Sequence, residues 1–190
     1  MTTATLNRPK VAMNGVDVPT FLTTIGVVGE NPEAAKFQFR AKGEWVDGTY
    51  SRATMNGFFG AGAEHTRDAD FVMEGDHPAV LCGGDRGASP VEALLSALAA
   101  CITAGIGNIA SARQIKLTSV NTTVEGDIDL LGLLGLNDDV RNGYNAVRAK
   151  VQIEGDASAE KLAKIVEQSV AHSAVFDMLK NGTDVEVSVA

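Results

Sequence analysis

Cysteine is scarce in this chain: Cys82 and Cys101 are the only two among 190 residues, so no disulfide framework is implied. A lone thiol then persists either as a small hydrophobe or for its reactivity, and a reducing cytoplasm is the expected compartment. Basic charge is also short. Sixteen Lys and Arg face 24 Asp and Glu, and the net charge of −8 disfavours nucleic acid and anionic membrane as partners. His65, His77 and His172 fall in no H-x-x-x-H or H-x-H pattern and no C-x-x-C accompanies them, so no metal site is expected. Gly83-Gly84-Asp85-Arg86-Gly87 lacks the Gly-Lys-Ser/Thr ending of a phosphate loop, and no G-x-G-x-x-G follows a strand. The Thr-rich opening to Lys10 has no apolar run and no Arg-rich amphipathic pattern, so neither a secretory signal nor an organelle leader is expected there. Internal repeats, low-complexity runs and Pro-rich linkers are missing as well. The length suits one domain, or one tightly joined pair, with a substantial core.

What the chain does have is one long apolar stretch, SPVEALLSALAACITAGIGNIASAR, from Ser89 to Arg113. Ser89 followed by Glu92 makes a capping box, and Pro90 takes the first helical position, where its missing N–H costs nothing. From Ala93 to Ala112 no residue is charged, which predicts a helix buried on all sides or spanning a membrane. Its wealth of Ala, Gly and Ser favours close packing against other elements. Cys101 sits midway. At about 1.5 Å per residue it lies roughly 16 Å from the helix start, beyond reach of that helix's own dipole. Lowering its pKa would therefore take an arginine from elsewhere. Without one, Cys101 is an ordinary core thiol.

Around this helix the periodicities predict an α+β fold with antiparallel sheet. A short amphipathic helix is expected over Val16–Gly29, then strands over Phe37–Trp45, Tyr50–Met55 and Phe71–Met73, with a hairpin at Asp47-Gly48 and a turn or bulge over Gly57–Gly62. Gly75–Ala88 reads as a loop. Strands are expected over Leu117–Asp129 and Ala146–Glu154, separated by a loop over Gly132–Tyr144. Asp156 or Ser158 caps a helix with Leu162, Ile165, Val166 and Val170 inward. His172-Ser173 breaks it, a helical piece follows over Val175–Lys180, and Val185, Val187 and Val189 read as a closing strand. The organisation expected is a leader and short helix over residues 1–34 and one domain over 35–190.

The run GGDRGASPVEALLSALAACITAGI resembles the OsmC/Ohr family, whose members show a Gly-rich loop, then S/N-P-x-E-L, then an alanine-rich helix holding a cysteine. HSAVFDMLKNGTDVEVSV is similar to the same family's closing motif, a broken helix followed by a valine-rich strand, so the resemblance covers residues 36–189. It implies an OsmC-like intertwined homodimer with the cysteine helix buried at its centre. It also implies thiol-dependent reduction of organic hydroperoxides and H2O2 in oxidative stress defence, with no cofactor beyond an external thiol reductant. Cys101 matches the peroxidatic cysteine. Arg52, on a predicted strand where the family places one version of the activating arginine, is the first candidate for that role, with Arg67 and Arg86 competing. Arg86 also reads simply as a solvated loop residue. Peroxidase members carry a glutamate directly after the proline, where this chain has Val91; Glu92, one residue on, matches a glutamate of other branches and is equally explained as a cap.

The family's second cysteine, which resolves the oxidised first one as a disulfide, is replaced here by Ser173. Cys82 is then the possible resolving residue, since eight extended residues before Pro90 span about 26 Å. A Cys101–His172 pair for acyl transfer has neither a third member nor an oxyanion hole in the sequence. The alternative to a peroxidase is a non-catalytic OsmC-like protein that binds an apolar small molecule in a pocket of the dimer interface.

Overall fold

The computed structural model describes residues 11–189. Its packing divides the chain into two compact units, Thr20–Leu94 and the remainder. A first helix, α1 (Val18–Glu30), leads into a single 3-10 turn at Pro32–Ala35. The amphipathic spacing of α1 is only partly used: Phe21 and Val28 are half-buried, whereas Leu22, Ile25 and Val27 are exposed.

The Thr20–Leu94 unit is built on two small antiparallel sheets. The strand expected over Phe37–Trp45 divides into β1 (Gln38–Phe39) and β2 (Lys42–Asp47). β2 turns through Gly48, whose φ of 51° suits glycine, into β3 (Tyr50–Met55), and β6 (Phe71–Gly75) pairs on the other side of β3. The stretch expected as a turn or bulge is itself a hairpin of β4 (Phe58–Gly60) and β5 (Ala63–His65), flanked by β1. Ala61 and Gly62 both have positive φ, 50° and 81°, which a two-residue loop of type I′ requires. Alternation could not reveal these strands because each is only three residues long.

In the other unit a long hairpin joins β7 (Leu117–Ile128) to β8 (Tyr144–Gly155), with Val120 opposite Ile153 and Thr122 opposite Val151. One turn of helix, α3 (Leu130–Leu133), occupies part of the connection. The hairpin packs with α2 (Pro90–Ala112) and α4 (Ala159–Ala171), and α5 (Ala174–Asn181) follows. Of the two candidate caps for α4, Ser158 accepts from Lys161 N, while Asp156 instead accepts the Lys116 amide at 2.7 Å. The core consists of Leu98, Ile102, Ile106 and Ala110, four residues apart along one stripe of α2, set against Leu162 and Ile165 of α4. Between α2 and α4, Gly105 leaves room for Ser169, whose hydroxyl donates to the Ile102 carbonyl at 2.7 Å.

Two expectations are corrected. By length and composition α2 could cross a membrane, and it was expected to be buried all round; in the folded chain only its Leu98–Ala110 stripe and Ser111 are buried, and Cys101 is half-buried. One hairpin and one amphipathic helix can cover only one side of it. The closing strand does not form among the described residues. Val185, Val187 and Val189 are more than 80% exposed, because an extended segment needs a neighbouring strand for its N–H and C=O groups and none pairs with it here.

Candidate active site

Cys101 lies on α2 beside the buried Ile102, and the turn between α4 and α5 meets it there. That turn is tightly held. The Ser173 amide donates to the Val170 carbonyl at 3.2 Å, and its own carbonyl accepts from Asp177 N at 3.0 Å. Its hydroxyl oxygen accepts from Phe176 N at 3.2 Å, making Ser173 the N-cap of α5. The side chain is 96% buried, being 4% exposed. The Ser173 hydroxyl lies 3.1 Å from Cys101 Sγ and donates to it.

The backbone N–H groups of Val175 and Ala174 act on the same sulfur. Burial pushes the Cys101 thiol up, but the Ser173 hydroxyl and these two amides outweigh it, so the thiol is held below its ordinary value. The sulfur occupies the partly positive N-terminus of α5, an environment that favours thiolate. Sequence reasoning found α2's own dipole too distant and asked for an arginine. The donors come instead from a different helix, and the serine that opens it in the sequence was the available signal. Among the described hydrogen bonds, the group that meets Cys101 is Ser173 rather than His172, which ends α4 and is exposed.

The other candidates lie in the Thr20–Leu94 unit. Arg52 pairs with Glu74 at 3.1 Å, opposite it in the sheet, and also reaches the Tyr50 hydroxyl. Glu92 completes the capping box: its Oε2 accepts from the Ser89 amide at 2.9 Å and the Ser89 hydroxyl at 2.6 Å, which holds its carboxyl below the usual range. Arg67 stands over the Phe58 and Phe71 rings and donates to the Asn56 carbonyl. Cys82 is exposed and left-handed, with φ 61°, at the end of a short 3-10 turn over Ala79–Leu81.

Arg86 is a solvated loop residue, as its setting suggests, and it is also held by specific partners. Its guanidinium stacks 4.1 Å over the Tyr50 ring and bonds Asp47 at 2.5 Å and Asp76 at 2.9 Å. Asp76 is fully buried and also accepts from the Thr49 hydroxyl and the amides of His77, Gly84 and Arg86. The Thr49 bond leads in holding its carboxyl far below the usual range, against the cost of burial. Asp76 thus ties the Gly-rich loop to the β2–β3 turn. No motif announced it. Among the described residues, no cluster of three His, Cys, Asp or Glu could hold a metal ion.

The model of the OsmC-like protein family matches residues 83–188, which contain α2, Cys101 and Ser173. The fold recurs in an OsmC-like protein from Mycoplasma pneumoniae, at 16% identity and a TM-score of 0.57, over 75% of this chain and 87% of that one. It recurs in an organic hydroperoxide resistance protein, OsmC, from Legionella pneumophila, at 16% identity and a TM-score of 0.54, over 78% and 93%. An OsmC-like protein of unknown function from Vibrio cholerae matches at 12% identity and a TM-score of 0.50, over 74% and 92%. At such identities the likeness is one of fold. No curated protein matches this sequence.

Proposed function

This chain belongs to the OsmC-like protein family, and on that premise we propose that it is a thiol-dependent hydroperoxide reductase with one peroxidatic cysteine, Cys101. The observation that carries the reading is the setting of Cys101 Sγ, with the Ser173 hydroxyl at 3.1 Å and a thiol pKa held down. The thiolate attacks one peroxide oxygen. An S–O bond forms, the O–O bond breaks, and the electron pair leaves with the other oxygen, which takes a proton to become an alcohol or water. Sulfur is oxidised by two electrons to the sulfenic acid. An external thiol then condenses with it, releasing water and leaving a mixed disulfide; a second thiol displaces Cys101 and carries away the disulfide. Hydroperoxide and two thiols are consumed, and no metal or organic cofactor takes part.

We further propose that the protein works in the cytoplasm as an intertwined homodimer. The open sides of α2 and the unpaired Val185–Val189 segment support a second copy as the missing partner. A second reading, a non-catalytic protein binding an apolar small molecule at the dimer interface, is favoured by the serine at position 173, which cannot resolve an oxidised Cys101 as a disulfide.

One experiment decides between them. Reduced protein is mixed with a slight excess of cumene hydroperoxide without reductant and weighed intact, beside Cys101→Ser and Cys82→Ser. Rapid gain of one oxygen that requires Cys101 is the expected result. Loss of two hydrogens, abolished by Cys82→Ser, would instead make Cys82 the resolving residue. A wild type unmodified after minutes overturns the peroxidase reading in favour of the ligand-binding one. Sedimentation as a monomer would overturn the dimer.

A further inference from the structure

A serine at the start of a helix is fully accounted for as a cap, so a larger role for Ser173 has to rest on what its hydroxyl does besides capping. A hydroxyl has one proton and two lone pairs. In Ser173 a lone pair accepts from Phe176 N, and the residue is buried, with 4% exposure. Its proton is directed at Cys101 Sγ, 3.1 Å away. The backbone is pinned on both sides, to Val170 in α4 and to Asp177 in α5, and a rotation that takes the hydroxyl off the sulfur breaks its cap bond to Phe176 N.

We propose that Ser173 is a positioning residue that holds Cys101 as a reactive thiolate, its hydroxyl donating to the sulfur while its cap bond keeps the first turn of α5 aimed at the same atom. The inference deepens the peroxidase reading and rests on its thiolate chemistry. A thiolate accepts hydrogen bonds and has none to give, and among the described residues the side-chain donor to this sulfur comes from the α4–α5 junction. The nearest ionisable side chains along that junction, His172 and Asp177, are exposed, and Asp177 accepts from Asn181. α2 contributes no charge between Ala93 and Ala112. The groups that lower the thiol are the hydroxyl and the α5 amides, with the Asp177 carboxylate in the first turn of α5 tied to Asn181.

The test is the pH dependence of Cys101 alkylation by iodoacetamide in a Cys82→Ser background, with urea unfolding alongside. Ser173→Thr keeps both cap and hydroxyl and is expected to titrate like the parent. Ser173→Ala loses both, and its alkylation midpoint is expected to rise by about one pH unit, with alkylation about tenfold slower below it. Ser173→Gly is decisive, because glycine opens a helix nearly as well as serine but has neither a hydroxyl nor a charge to bring to the sulfur. Its midpoint is expected to rise about as far as that of the alanine variant. A purely structural serine predicts that Ser173→Gly titrates like the parent, and that result overturns the proposal even if Ser173→Ala fails to fold. The assay uses no peroxide. A protein inert to cumene hydroperoxide but with Ser173-dependent alkylation would sink the peroxidase reading and leave the role of Ser173 standing.

Discussion

Replacing Ser173 by cysteine, in a Cys82→Ser background, tests the site's geometry directly. The two side chains approach to 3.1 Å, and a disulfide needs about 2 Å between sulfurs, so closure asks for about 1 Å of side-chain movement. The residues bridged are 72 apart in sequence. A loop of that size would stabilise the fold by about 4 kcal/mol in the chain-entropy account. Losing the serine cap costs about 1 kcal/mol, which leaves about 3 kcal/mol net. For a chain of this length that is a rise in Tm of about 10 °C. Treatment with the disulfide form of a small thiol, followed by intact mass and thermal unfolding with and without reductant, would measure both the bond and its effect. This oxidant needs no peroxidase activity, so the outcome is independent of the proposed function. If the variant keeps both thiols, or carries only the small thiol as a mixed disulfide, the placement of the α4–α5 junction against α2 is wrong, and the reasoning about Ser173 falls with it.

Three further outcomes are expected. Ile106→Ala, at a fully buried position of the α2 stripe, should destabilise the protein by about 2 to 5 kcal/mol in urea, and a change under 1 kcal/mol would mean that the stripe is not the core. Because the Cys101 thiol is lower in the folded state than in the unfolded chain, folding favours the thiolate. That contribution is complete above the unfolded value of about 8.5 and fades as pH falls through the folded one, so the wild type should gain stability over Cys101→Ser as pH rises toward that unfolded value. Parallel pH curves for the two proteins would contradict the lowered thiol. Asp76→Asn should speed proteolysis and amide exchange of the loop over residues 76–88 while leaving the β7–β8 hairpin protected; equal protection in both proteins would show that Asp76 does not hold the loop.

Much of the frame was written in local pattern. The capping box, the apolar run after it, the alternation of β7 and β8, and the apolar stripe of α4 each need only neighbours along the chain, and each formed where the periodicity put it. Short strands were less legible: β4 and β5 offer three residues apiece, and their hairpin depends on two positive φ angles at Ala61 and Gly62. The closing valines alternate as a strand should, yet alternation supplies no partner, and pairing is a property of two segments.

The sequence by itself singled out Cys101 as the candidate thiol, since a cysteine in the middle of an apolar helix can be read without coordinates, as can the serine that stands where the resemblance called for a second one. Only the tertiary structure decided what surrounds that thiol. Cys101 and Ser173 are 72 residues apart, and it takes the packing of α4 on α2 to bring the start of α5 onto the sulfur. Arg86 and Asp76 tell the same story on a shorter scale, a loop arginine and an unremarked aspartate that become an ion pair, its carboxylate buried, once the loop closes over the β2–β3 turn. Electrostatic environment depends on distance in space, and distance in space is what a linear pattern of residues does not contain.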